Sequence, residues 1–329
     1  MKTAVVLFNL GGPDSLAAVQ PFLFNLFNDK AIIGAPQPIR WLLAKYISTK
    51  RAPIAQGIYQ HLGGKSPLLE QTESQAQALQ DLLGKDFKVV IAMRYWHPFA
   101  DKALAEIHNW GAERVILLPL YPQFSTTTTG SSLRQWHGLA TGLFAETRTV
   151  CCYPRQNGLV AAMAALVRAE WSKAEQVGRP RLLFSAHGLP QSIVDKGDPY
   201  PAQVEQTARA VVEELGLVDL DWAICYQSRV GPAKWIGPST EEELARAGAD
   251  KVPVVIIPVA FVSEHSETLV ELDIEYRHLA QNLGIPAYFR APAVSSHPLF
   301  IEGLAQLVHE PGALRGKACG PSCLCAEEA

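Results

Sequence analysis

Long apolar stretches are the first thing this sequence lacks. The longest, Val252–Val262, is interrupted by Pro253 and Pro258. It falls short of the roughly 18–20 residues that a membrane-spanning helix needs. An excess of one charge is also missing. Lys and Arg number 29 against 32 Asp and Glu, for a net charge of −3, and no basic run interleaves with aromatics. A nucleic-acid partner is therefore not expected. Gly11-Gly12 follows the first strand-like run, but the full G-x-G-x-x-G fingerprint and the Walker A sequence are absent, so no nucleotide is expected. The start, Met1–Phe8, enters a strand-like run directly, without the apolar region and cleavage site of a signal peptide. The expected location is the cytoplasm. Cysteine is scarce, with six residues: Cys151, Cys152, Cys225, Cys319, Cys323 and Cys325. Disulfides are not expected in that compartment. Cys319, Cys323 and Cys325, crowded together, read as metal ligands rather than staples.

What is present is an alternation. Apolar runs at Ala4–Asn9, Lys88–Met93, Arg114–Leu118, Arg181–Ser185, Trp222–Tyr226, Val252–Val259 and Ala287–Arg290 are rich in Val, Ile and Leu. Such runs suit strands covered on both faces. Helical patterns lie between them, at Leu68–Leu83, Ala100–Trp110, Leu159–Glu175, Pro201–Leu215 and Glu267–Leu283. The expected class is α/β, with parallel sheets wrapped by helices.

The sequence also echoes itself. Leu7–Pro13 resembles Leu183–Pro190, and Val115–Leu120 resembles Val254–Val259. Two similar, doubly wound, Rossmann-like domains account for the echo, with the active-site cleft between them. The expected boundaries are 1–150, with an insertion at about 21–65, and 151–309, followed by a cysteine-containing tail at 310–329. Ligands in such folds bind at the carboxyl ends of strands. The cleft should then be lined by Leu10–Pro13, Tyr121–Gly130, His187–Pro190 and Ser263–Glu267.

Candidate chemistry follows from those positions. His187 ends a strand and precedes Gly188, where a ligand can approach the backbone. Imidazole is the side chain best suited to moving protons near neutral pH. Glu267, Glu271 and Glu275 fall at i, i+4 and i+8 on one helix face. That pattern is either a solvated acidic face or a cation path, and like charges at this spacing disfavour a helix without a use. Glu264 and His265 just before it favour the path, and carboxylate with imidazole suits a divalent first-row metal. The insertion carries Phe22, Phe24, Phe27, Trp41, Leu42 and Tyr46, broken by Gly34, Pro36 and Pro38. It reads equally as core or as an apolar lip over a flat ligand. Arg51 and Ser66 sit where they could bind carboxylates. The hydroxyl-rich loop Ser125–Ser132 could do the same, or cap a helix.

Six segments, in order, resemble the ferrochelatase family: Asn9–Pro13, Met93–Pro98, Tyr121–Ser125, Ser185–Pro190, Tyr226–Pro232 and Phe261–Leu269. The resemblance implies an enzyme, a lyase that inserts Fe²⁺ into protoporphyrin IX with release of two protons, giving protoheme at the end of heme biosynthesis. It implies that His187 and Glu267 form the central pair and meet the iron, and that Glu264, His265, Glu271 and Glu275 form the delivery path. Leu10, Arg51, Tyr59, Ser66, Arg94, Tyr95 and Trp235 would contact the porphyrin, with Arg51 and Ser66 at its propionates. Coproporphyrin III or another carboxylated tetrapyrrole is the alternative substrate, disfavoured by few basic residues near the cleft. A porphyrin or heme carrier would not need the acidic ladder. Animal relatives place a cluster cysteine where this chain has Thr126. A 2Fe–2S cluster held by Cys152, Cys319, Cys323 and Cys325 is expected instead, since four thiolates are its usual ligand set. Cys151 is the fallback fourth ligand, Cys225 reads as a buried apolar residue, and zinc or a thiol tail are the competing readings. An exposed lip would allow weak, reversible contact with the inner face of a membrane. The oligomeric state is left open.

Overall fold

The structure is a computed structural model that describes residues 2–229, 231 and 233–310. Cys319, Cys323 and Cys325 lie outside the described residues. The chain forms two compact units, residues 2–152 with 304–310, and residues 153–303.

The first unit runs β1 (Thr3–Asn9), α1 (Val19–Phe27), α2 (Gln37–Gln60), α3 (Leu68–Leu83), β2 (Phe87–Met93), α4 (Ala100–Trp110), β3 (Arg114–Pro119), α5 (Thr129–Ala140) and β4 (Glu146–Thr149). Its four strands are parallel, in the order β2-β1-β3-β4. All seven residues of β1 are buried, as its unbroken apolar character requires. Phe8 meets Trp136 of α5 edge to face at 5.8 Å, within a core that also holds Val6, Val115, Leu117 and Ile107. The edge strand β4 is Glu-Thr-Arg-Thr, too short and polar to show as an apolar run. Glu146 pairs there with Arg114 and Arg148, both at 2.5 Å. The other edge, β2, is closed by a side chain. Gln80 of α3 accepts from the Val89 N–H at 2.8 Å and donates to the Phe87 carbonyl at 3.1 Å.

The second unit runs α6 (Asn157–Ala174), β5 (Arg181–His187), α7 (Gln191–Val194), α8 (Tyr200–Leu215), β6 (Asp221–Gln227), α9 (Thr240–Asp250) and β7 (Val254–Pro258). A π-helix over Glu267–Glu275, α10 (Tyr276–Asn282), β8 (Tyr288–Arg290) and α11 (Pro298–His309) follow, with α11 belonging to the first unit from Leu304 onward. The strands are again parallel, in the order β6-β5-β7-β8. Strand for strand this is the arrangement of the first sheet, with β5 in the place of β1 and β7 in that of β3. The echo in the sequence is thus a repeat in the fold. Leu183, Leu244, Ile256, Leu272 and Tyr276 pack in its core.

The insertion is more regular than its prolines imply. Pro36 is the N-cap of α2 and Pro38 lies in the first turn, where a missing N–H costs nothing. The two readings of this segment divide between its helices. Val19, Phe22 and Leu23 of α1 pack with Tyr59 and Tyr95 in a small core. The α2 helix instead exposes Ile39, Trp41, Leu42, Tyr46 and Ile54. Among the described residues, no helix is long and apolar enough to cross a membrane.

Candidate active site

His187 is the last residue of β5, paired in register with Gln227, the last of β6. Gly188 then donates its N–H to the Gln227 carbonyl at 2.8 Å. A Cβ at Gly188 would lie 2.9 Å from that oxygen and 3.2 Å from the Trp235 ring, so only glycine fits. Trp235 is held there by a bridge to Pro190.

Opposite His187 stands the π-helix. Its i→i+5 pattern widens the turn, a form found mostly at functional sites. An ordinary α-helix over the whole of Glu267–Leu283 is therefore corrected, with α geometry beginning only at Tyr276. His187 Nδ1 lies 2.7 Å from Glu267 Oε2. The histidine side chain is 40% exposed and the glutamate 27%, so the outer edge of the imidazole is open while its inner nitrogen is engaged. Burial disfavours the imidazolium, but the charges of Glu267 and Glu271 outweigh it and raise the pKa of His187. Burial likewise works against the Glu267 carboxylate, yet His187, His265 and Ser228 hold its pKa down to about 2.

Glu271 is tied more firmly. Its Oε1 accepts from the Ser228 N–H at 2.8 Å and the Tyr276 hydroxyl at 3.1 Å. Its Oε2 accepts from the Ser228 hydroxyl at 2.5 Å and from Gln227 Nε2 at 2.9 Å. Burial, and then the charge of Glu267, raise the pKa of Glu271. The Ser228 hydroxyl also lies 3.2 Å from Glu267 Oε2, joining the two carboxylates. Ser228 achieves this with a left-handed backbone, φ 60°. Gln227 and Ser228 fall in the Tyr226–Pro232 segment but are not among the expected site residues, although both stand at the carboxyl end of the strand beside β5.

The remaining residues of the proposed path divide. His265 accepts the Glu267 N–H at Nδ1, 3.0 Å away, and packs edge-on against Phe261. Burial lowers its pKa, in keeping with a neutral ring that accepts a hydrogen bond. Glu264 turns away into an ion pair with Arg290 at 2.9 Å and accepts from the Ala293 N–H. Arg290 also binds Asp273 at 2.7 Å. Glu275 is exposed at the far end of the π-helix. Among the described residues, no group of three or more His, Cys, Asp and Glu side chains is placed to hold a metal ion.

The candidate porphyrin contacts of the first unit gather around α1. Leu10, Tyr59 and Tyr95 belong to one apolar cluster. Arg94 lies over the Tyr95 ring at 5.0 Å, and Arg51 over Phe27 at 5.9 Å. Ser66 is buried against Gly12, where any Cβ would collide with its hydroxyl. Cys152 is buried and Cys151 half-buried at the end of this unit. Cys225 lies within β6, fully buried, with its thiol pushed up to about 12 by burial.

Comparison with known proteins places these features in a family. The family model described as Ferrochelatase matches residues 2–311. A ferrochelatase of Wolbachia sp. subsp. Drosophila simulans (strain wRi) is 53% identical over 313 residues, covering 93% of this chain and 98% of that protein. A ferrochelatase of Caulobacter vibrioides (strain NA1000 / CB15N) is 53% identical over 332 residues, covering 98% and 95%. Among solved structures, the sirohydrochlorin chelatase SirB from Bacillus subtilis subspecies spizizenii in complex with cobalt superposes with a TM-score of 0.55 at 11% identity, covering 96% of this chain and 98% of that one. SirB from Bacillus subtilis with Fe³⁺ gives 0.53 at 14% identity, covering 95% and 97%. At such identities these two speak for the fold alone.

Proposed function

This chain belongs to the ferrochelatase family, and we infer that it is a metal chelatase that uses His187 and Glu267 to place Fe²⁺ in protoporphyrin IX, forming protoheme. The observation that carries the assignment of these two residues is the 2.7 Å pairing of a half-exposed, strand-end histidine with a carboxylate. Metal entry requires the two pyrrole N–H protons to leave. The open edge of His187 accepts the two protons in turn, passing the first to solvent before it takes the second, and Glu267, whose carboxyl the neighbouring His187 holds low, stabilises the imidazolium formed each time. Ser228, itself bound to Glu271, holds the Glu267 carboxylate, and Gln227 donates to the Glu267 backbone carbonyl. Purified protein given Fe²⁺ and protoporphyrin without oxygen should turn over many times. Stoichiometric binding without turnover would instead describe a carrier.

Iron reaches this pair along the π-helix, past the exposed Glu275 and then Glu271, with His265 alongside. Glu264 has the weakest case as an iron contact, since Arg290 already neutralises it. Leu10, Tyr59, Arg94 and Trp235 are the porphyrin contacts of this reading, with the buried Tyr95 behind them, and Arg51 and Ser66 are its propionate contacts. The chain works in the cytoplasm, and the apolar face of α2 with Lys45 and Lys50 rests weakly on a membrane surface. Flotation with anionic liposomes tests that contact, and no association would remove it.

A 2Fe–2S cluster on Cys152, Cys319, Cys323 and Cys325 completes the proposal. Cys152 supplies a buried position in a short Cys-Cys-Tyr-Pro segment, with Cys151 next to it. Bound there, the cluster would tie the cysteine tail to the first unit. Acid-labile sulfide in anaerobically purified protein tests it, and stoichiometric zinc would refute it.

A further inference from the structure

The first unit holds a second ionised cluster, built on Asp29. This residue lies just past α1, in the turn leading to α2, and its side chain is 7% exposed. Donors reach its carboxylate from three parts of the unit. Oδ1 accepts from the N–H of Ala31 at 2.9 Å. Oδ2 accepts from Arg94 Nη2 at 2.8 Å and from the Tyr95 hydroxyl at 2.8 Å. The Ser131 hydroxyl of α5 donates to the same oxygen, and accepts in turn from Arg94 Nε at 2.8 Å. Burial alone would raise the pKa of Asp29, but Ser131, Ala31, Arg94 and Tyr95 together hold it below its ordinary value.

The backbone ties converge on the same place. Asn25 of α1 donates to the Tyr95 carbonyl at 3.0 Å. The Arg94 and Tyr95 N–H groups donate to the Asn9 and Leu10 carbonyls, both at 2.9 Å. The segments after β1 and β2, the first turn of α5 and the helical insertion are thus joined through one carboxylate and the two residues after β2. A buried charge with matched donors specifies one placement, because any other leaves it desolvated and unpaired.

We propose that Asp29 is a positioning residue for porphyrin binding, locking the α1–α2 insertion to the carboxyl end of the first sheet so that Leu10, Tyr59 and Arg51 form a preformed surface for the macrocycle. The proposal rests on the porphyrin-binding reading above. It gives Tyr95 an indirect part: the residue is 1% exposed, and its hydroxyl is committed to Asp29. A surface ordered in advance does not have to be ordered at the moment of binding.

Asp29→Asn keeps the shape and removes the charge. Its affinity for protoporphyrin, titrated by fluorescence, should weaken about tenfold, the loss of one charged hydrogen bond. The porphyrin KM should rise with it, while kcat at saturating porphyrin and the KM for Fe²⁺ stay at wild-type values. Tyr95→Phe, which deletes one oxygen, should shift porphyrin binding the same way by less, and Asp29→Glu should restore part of it. Unchanged porphyrin affinity in folded Asp29→Asn overturns the proposal, as does a fall in kcat with no change in porphyrin KM. If Asp29→Asn does not fold, Tyr95→Phe decides in the same titration. Wild-type protein that binds protoporphyrin and inserts no iron would sink the catalytic reading, while the titration would still decide the role of Asp29.

Discussion

At the scale of single residues, the proposed catalytic pair, His187 and Glu267, should set both rate and pH response. His187→Ala removes the proposed proton acceptor at the ring face. Iron insertion should fall on the order of 10²–10⁴-fold, the usual contribution of a positioned base. Porphyrin affinity should change little, and a variant with near-normal turnover would exclude His187 from the chemistry. The pH dependence follows from the sign of the shifts. A base must be neutral to accept a proton, and Glu267 helps to raise the pKa of His187. The acid limb of kcat/KM should therefore lie above the ordinary histidine value of about 6.5. Glu267→Gln removes the charge that raises it, so residual activity should show that limb moved to lower pH. An unmoved limb would mean that another group titrates. For stability, the His187 contribution is present below the unfolded histidine pKa and fades as pH rises through the folded one. The Glu267 contribution is present above the ordinary glutamate range and fades as pH falls toward about 2.

At the scale of elements, the π-helix governs how the carboxylates present themselves. Glu271 sits inside a net of four donors, whereas Glu275 is exposed. Glu271→Gln and Glu275→Gln should both raise the apparent KM for Fe²⁺, with the larger effect and some loss of kcat at Glu271. Iron dependence unchanged in both would make the ladder a solvated face. The spacing of these residues was legible in the sequence, because one face collects them in either helical form. The π form was not, since no local residue pattern announces an i→i+5 turn, and the groups that its carboxylates meet, Gln227 and Ser228, lie on another element. The bounds of α3 and α4 were readable from apolar periodicity alone. The β4 strand was not, because Glu146–Thr149 is made by pairing with β3 rather than by its own residues. The α2 helix was obscured by Pro36 and Pro38, which open a helix as readily as they break one. Glu264 shows the limit of reading a site by proximity in sequence. It neighbours the ladder, but Arg290, remote in the chain, decides where its carboxylate goes.

At the scale of the whole molecule, the chain builds one parallel four-stranded plan twice and then specialises each copy. The strand end that carries His187 in the second unit carries Asn9 in the first, where its amide donates to Thr72 at 3.0 Å. One copy thus supplies the proposed proton-transfer residues, and the other supports the helical insertion. Open sheets repeated in this way also multiply exposed borders, and a bare border recruits strands from other chains. In the first sheet, charge guards β4 and a single amide guards β2, where Gln80 occupies a donor and an acceptor that a stray strand would need. Gln80 should therefore govern colloidal behaviour rather than catalysis. Gln80→Ala should keep wild-type turnover in dilute solution yet scatter more light as the protein is concentrated, and equal scattering would show that this border is harmless without its plug.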